Sequence, residues 1–143
     1  MPTLTITGAA LSRGRKHRAA IRITRWFTHR DVPAHRVVIR FVETDHNEWF
    51  SAGVPLSAMA QGPDLHSGMV LCQIDPNRDR RSRDELAIEV ADALGVGPST
   101  RFFYLEFQPT TGTDVRIAVN GALEYGAAST THRDHTKDEE ATL

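Results

Sequence analysis

The spacing of apolar residues changes repeatedly along the chain, and each change marks an element. Between Thr3 and Thr7 the pattern alternates: Leu4 and Ile6 fall on one side, the three threonines on the other, as in a strand. Pro2 cannot donate to a sheet ladder, so it fits only at the strand's end. After Ser12, a candidate cap, the period lengthens. Ala19, Ile23, Trp26 and Phe27 recur at helical spacing, predicting a helix to about His29. Asp31-Val32-Pro33 ends it, because proline disfavours helical geometry in the residue before it. RVVIRFVE then carries Val37, Ile39 and Phe41 on one side and Val38 and Val42 on the other, a strand apolar on both faces apart from Arg40.

Residues 44 to 68 read as loop, with Gly53, Pro55, Gly62, Pro63 and Gly68. MVLCQI predicts a third strand. Ser82 and Glu85 predict a capping box opening a second helix, with Leu86, Val90, Ala93 and Leu94 on its inner face and Gly95 as its left-handed end. RFFYLEF is a fourth strand, and VRIAVNGALEY is a hairpin turning on Asn120-Gly121. Residues 127 to 143 are small, polar and charged, predicting a disordered tail after a domain of residues 2 to 126.

Two strand-helix-strand units thus follow one another. A helix between two strands implies parallel pairing within each unit. The units can join through their first strands into a four-stranded mixed sheet with both helices on one face, an α+β fold. The opposite face, left bare and partly apolar, predicts self-association.

The 143-residue length suits one such domain, and one cysteine, Cys72, excludes an internal disulfide framework. No apolar block resembles a signal peptide or a membrane span, so the expected address is the cytoplasm, with no membrane partner. Net charge is −1 but unevenly placed. Arg13, Arg15, Lys16, Arg18, Arg22, Arg25, Arg30, Arg36 and Arg40 face only Asp31 in the amino-terminal part, while Asp134, Asp138, Glu139 and Glu140 crowd the end. A solvated basic helix explains this more simply than a nucleic-acid surface. His132 and His135 lie in the polar tail without further ligands, and no glycine-rich phosphate loop, nucleophile elbow or zinc pattern occurs. No cofactor or metal is expected.

Pro2 offers the first candidate chemistry. A small second residue normally permits removal of the initiator methionine, and Pro2 would then carry a free secondary amine on a rigid ring. An α-amino group titrates near pH 8, and both burial and neighbouring arginines favour its neutral form. Such a group can serve as a general base near neutrality, or as an acid if its pKa stays high.

MP followed by a short strand, a basic helix ending in DVP, the strand VVIRFVET, WFSAG, the arginines before the second helix, LGV and FFYLEF together resemble the tautomerase superfamily over about residues 2 to 121. The resemblance implies a β-α-β repeat assembled as a homotrimer with a catalytic amino-terminal proline. It implies that Arg78 and Arg81, in DPNRDRRSRDE, grip a small substrate carboxylate, as a guanidinium fork can. It implies that Tyr104 aids catalysis by donating a hydrogen bond, and it sets His29 near a helical histidine of the family. The expected activity is keto-enol proton transfer on a small 2-oxo or unsaturated acid. Hydration or dehalogenation, or decarboxylation, on the same scaffold is the alternative, and a non-catalytic trimer with basic helices is a third. The family's water-activating glutamate lies in an EYG stretch; Glu124-Tyr125-Gly126 stands further along and past the Asn-Gly turn, while Asp114 is nearer the expected distance. Asp31 is a loose match to the decarboxylase's aspartate.

Overall fold

The computed structural model describes residues 1–126; the predicted tail and its histidines lie outside them. Strand β1 (Thr3–Gly8) leads into helix α1 (Arg13–Thr28), then strand β2 (Val38–Glu43). Two short strands, β3 (Phe50–Ser51) and β4 (Val54–Pro55), follow. The second unit is β5 (Ser67–Ile74), α2 (Arg80–Leu94) and β6 (Phe102–Pro109), and β7 (Arg116–Val119) and β8 (Ala122–Tyr125) close the chain. The main sheet has the order β2-β1-β5-β6. β1 and β2 are parallel, β5 and β6 are parallel, and β1 meets β5 antiparallel. This is the mixed four-stranded sheet that the two units predict.

The core lies between one sheet face and the helices. Leu4, Ile6, Val70, Cys72 and Ile74 point down from the central strands onto Ala19, Ile23, Trp26 and Phe27 of α1 and Leu86, Val90 and Leu94 of α2. Complete burial of a side chain such as Phe27 or Leu86 contributes about 1.5–3 kcal/mol. Burial pushes the Cys72 thiol up to about 12, so it behaves as a small apolar side chain. Acidic residues of α2 meet the basic face of α1. Arg22 contacts Glu89 at 2.6 Å and Asp92 at 3.7 Å, and Arg30 reaches Glu85 at 3.4 Å. Part of the amino-terminal excess of arginine is therefore spent within the fold.

The helix ends follow local chemistry. The Ser12 hydroxyl accepts from the Arg15 N–H at 3.2 Å, and Gly95 ends α2 at φ +82°. The start of α2 differs from the predicted capping box. Asp79 is the cap, its carboxylate accepting from the Ser82 N–H at 2.7 Å, while Glu85 turns to Arg81 and Arg30. An aspartate two positions ahead of Arg81 does the same work as the serine and lets the helix begin at Arg80.

The segment 44–68 holds more order than its glycines and prolines predict. β3 and β4 form a two-residue hairpin with Ala52 (φ +52°) and Gly53 (φ +75°) at its turn. At the carboxyl end, Asn120 (φ +50°) and Gly121 (φ +80°) make the predicted turn between β7 and β8. Among the described residues, no helix is long and apolar enough to cross a membrane.

The two repeats share one internal register. Thr3 pairs with Val38, and Ser67 pairs with Phe102 at the same offset. Just ahead of these pairs, the Pro2 carbonyl accepts from the Val38 N–H at 3.0 Å, and the His66 carbonyl accepts from Arg101 at 2.9 Å and Phe102 at 3.4 Å. Pro2 and His66 are thus equivalent positions. Because β1 and β5 run antiparallel, they stand at opposite ends of the sheet.

Candidate active site

The beginning of β1 is assembled by the sheet's registers. Thr3 pairs with Val38 on one side and Gln73 on the other. Continuing both registers by two residues sets Met1 between Arg36 and Asp75, and Pro2 between Val37 and Ile74. Pro2 is buried. In the chain as it stands its nitrogen is acylated by Met1, whose amine is the free one.

That amine lies in an unusual setting. Burial, chiefly, holds it below its ordinary value of 8.0; Arg36 and Arg78 push the same way, and Asp75 opposes them. Low polarity and cationic neighbours both disfavour an ammonium group.

Arg78 comes from the loop between β5 and α2. Its backbone N–H donates to the Asp75 carbonyl at 3.2 Å, and the Asp75 carboxylate accepts from the Asn77 N–H at 2.8 Å. The guanidinium packs against the end of α1, 5.6 Å from the Trp26 ring centre and 5.5 Å from Phe27. Burial pulls its pKa down and Arg30 adds to this, with Asp75 opposing; an arginine nonetheless stays cationic. Arg30 covers the same indole at 3.7 Å and is fixed by the Trp26 carbonyl at 2.9 Å. Arg36 donates to the Gly126 carbonyl at 3.3 Å, which brings the end of the EYG stretch to the beginning of β1. Glu124 itself is exposed on β8.

The other candidate residues are placed differently. Arg81 lies on the surface of α2 with its side chain 88% exposed, 3.3 Å from Glu85. His29 is the exposed carboxyl cap of α1, at the same end of the sheet as Pro2. Asp31, just beyond, is exposed at φ +65°. Asp114 lies in the 3-10 turn before β7, bonded to the Thr111 hydroxyl at 2.6 Å. Tyr104 pairs with Met69, which pairs with Thr7, so it shares their row on the helix-free face. That row lies about 16 Å along β1 from Pro2, on the opposite side of the sheet from the core. Within one chain Tyr104 does not join the amino-terminal pocket. Arg36 and Asp75 had no distinguishing sequence signal beyond their positions next to β2 and β5.

No protein-family model and no curated protein matches the chain. Solved structures do. A fused 4-OT, a symmetric trimer, superposes with a TM-score of 0.63 at 16% identity, over 88% of this chain and 98% of that one. A member of the cis-3-chloroacrylic acid dehalogenase family gives 0.58 at 21% identity, over 99% and 92%. A malonate semialdehyde decarboxylase inhibited by 3-bromopropiolate gives 0.55 at 14% identity, over 83% and 89%. These neighbours are tautomerase-superfamily proteins, and the fold of this chain, with its paired β-α-β units and terminal hairpin, is the tautomerase-superfamily fold.

Proposed function

We propose that the protein is a cofactor-free tautomerase-type enzyme in which Pro2, freed by removal of Met1, moves a proton at the carbon beside a carbonyl. The carrying observation is the setting of the chain's first amine: half-buried, beside Arg36 and Arg78, and held below its ordinary pKa. A neutral amine near pH 7 can take a proton from the substrate, and the adjacent guanidinium groups can hold a carboxylate and stabilise the enolate that forms. Arg78, packed on Trp26 and Phe27, is the preorganised member of this pair. Arg81 would serve only by leaving Glu85 and swinging in from the helix surface. His29, exposed at the carboxyl end of α1, has no contact that ties it to the amine. The substrate class is a small 2-oxo or unsaturated carboxylic acid.

The assembly we propose is a homotrimer. The helix-free face exposes Val38, Met69 and Tyr104, and β8 exposes Leu123 and Tyr125. Threonines and the pair Arg40 and Glu106 are interleaved with them. Neighbouring copies covering this face would bury those side chains and could carry Tyr104 to another copy's Pro2.

One observation favours a second reading, water addition or decarboxylation at the same pocket. Asp75 is a carboxylate beside the amine and favours its charged form. A charged proline would act as acid while Asp75 handled water. A non-catalytic role for the basic helices is less favoured, since Arg22 and Arg30 already pair with α2.

Intact mass combined with an ultraviolet assay on phenylenolpyruvate tests the leading reading. Chain lacking Met1 should be active, and 3-bromopropiolate should add to the Pro2 peptide. Retention of Met1 on active protein, or full activity of Pro2→Ala, would remove the proline mechanism. Turnover of a halo-acrylate without tautomerase activity would favour the second reading.

A further inference from the structure

The end of the sheet away from Pro2 carries its own unexplained chemistry. His66, the repeat counterpart of Pro2, is 7% exposed, and among the described residues neither ring nitrogen has a hydrogen-bond partner of good geometry, the Met59 backbone alone being close enough to act on the ring. A buried polar group without a partner costs free energy that a native fold rarely leaves uncompensated. The His46 ring stacks on it at 4.5 Å between centroids, 10° from parallel. Both rings face a cleft of about 330 Å³ whose other walls include Arg15, Gln61 and Asp64. Among the described residues no group of three metal-binding side chains occurs, and two stacked rings cannot aim at a common ion.

The walls of the cleft are set by specific contacts. The Asp64 Oδ2 accepts from the Ser99 N–H at 2.9 Å and its hydroxyl at 2.8 Å, which holds the carboxyl below its ordinary pKa and ties it to the loop before β6. Arg15 packs beside Gly95, where a Cβ would come within 2.8 Å of its Nη2. Arg101, which follows His66 across the sheet, donates from Nε to the Ala60 carbonyl at 3.1 Å. The loop that leads into α1 lines the same cleft with Ala9, Ala10 and Leu11. Arg15 in the wall and Arg101 acting on His66 from behind it outweigh the one carboxylate, Asp64, so the cleft suits an anion. The imidazole is held neutral, first by burial and then by His46, with the Met59 backbone opposing and Arg101 assisting. A neutral ring offers one N–H donor and one acceptor.

We propose that this cleft is a second binding site for a small carboxylate, the internal repeat's counterpart of the amino-terminal pocket, with His66 in the place of proline. Arg15 grips one end of the carboxylate, and the His66 N–H donates to the oxygen that enters deepest. Both pockets follow one construction rule: the residue ahead of an inner strand, an arginine at the start of the paired outer strand, and an arginine delivered near the start of the other unit's helix. Arg36 and Arg78 serve Pro2; Arg101 and Arg15 serve His66. The inference does not depend on Pro2 being free or catalytic.

Pyruvate is the probe. The full chain, labelled with 15N in its histidine rings, is titrated with pyruvate, with chloride at equal ionic strength as control. His66 and His46 signals should shift saturably with pyruvate and not with chloride, and calorimetry should return a binding event that Arg78→Ala leaves in place. In Arg15→Ala the His66 response should weaken at least tenfold, while in Arg78→Ala it should persist. His66→Asn should remove it; if that variant does not fold, Arg15→Ala, an exposed substitution, still decides. Unmoved His66 and His46 signals at saturating pyruvate, equal shifts with chloride, or unchanged affinity in Arg15→Ala would each overturn the proposal.

Discussion

At one end of the sheet a strand begins with proline, and at the other the equivalent strand begins behind histidine. The backbone treats them alike: each carbonyl accepts from the outer strand beside it, and each side chain is buried. What differs is the charge around them. Met1 stands between Arg36 and Asp75, with Arg78 close by, and a terminal amine there can lose its proton more readily than in water. His66 stands between Arg101 and a small-residue loop, and its neutrality is set mostly by burial. On the functions proposed above, two copies of one β-α-β unit would be put to different uses, one end moving a proton and the other holding an anion. The repeat supplies the pockets, and the residue ahead of the inner strand decides their use.

The largest effect that can break this contrast is at the proline. With Met1 removed, Pro2→Ala should lower kcat/KM for phenylenolpyruvate by about 10²–10⁴, the usual worth of a positioned general base. The pyruvate response of His66 should not change. If activity survives, the two ends are no longer chemically distinct, and the proline end becomes a second binding pocket.

Next come the arginines. Arg78→Ala should lower kcat/KM by roughly 10- to 100-fold, the loss of a charge-assisted bond of about 1.5–3 kcal/mol. Arg81→Ala should change it by about a factor of two or less, since its exposed pairing with Glu85 is worth little. Steady-state kinetics on both variants separates the buried arginine from the surface one. An equal loss in both would show that Arg81 swings into the pocket.

The contrast between these arginines also marks where sequence stops being informative. The periodicity from Leu4 to Phe27 and from Leu86 to Leu94 carries the fold, because core burial requires those spacings and little else satisfies them. The join between units through their first strands follows from the repeat of the strand-helix-strand unit. The site is less legible. Arg78 and Arg81 lie in one arginine-rich run, and no apolar phase there tells which side chain folds under α1 and which stays on α2. The same ambiguity hides the Asp79 cap, since both Asp79 and Ser82 stand ahead of acceptable first turns. Arg36 is one arginine among many until β2 pairs with β1. Ala52, at φ +52°, gives no sign of its turn, because alanine has no preference for that conformation. His66 is hidden as well, because β5 begins at Ser67, two residues before the MVLCQI that predicts it, and only that start sets His66 where Pro2 stands before β1.

A smaller effect is expected at Gly95. It sits at φ +82°, and its missing Cβ leaves room for Arg15. Gly95→Ala should destabilise the fold by about 1 kcal/mol through backbone strain, measured as a lower urea midpoint. It should also displace Arg15 and weaken pyruvate binding at the His66 end alone. Stability loss without that change would place Arg15 outside the carboxylate's reach.

The smallest expected effect separates the two ends by pH. Both titrating groups have folded values below their ordinary ones, 8.0 for the terminal amine and 6.5 for His66. The unfolded chain therefore binds each proton first, and stability rises with pH across both windows. The amine's contribution is complete above about pH 8 and fades as pH falls toward its lowered folded value. The contribution of His66 is complete above about 6.5 and is lost as pH falls through its own. Urea midpoints measured from pH 8.5 down to 5 should therefore decline in two stages. His66→Asn should flatten only the lower stage, and acetylation of the terminal amine only the upper one. A lower stage that persists in His66→Asn would mean that another group titrates there, and proton loss by the buried ring would no longer set the two ends apart.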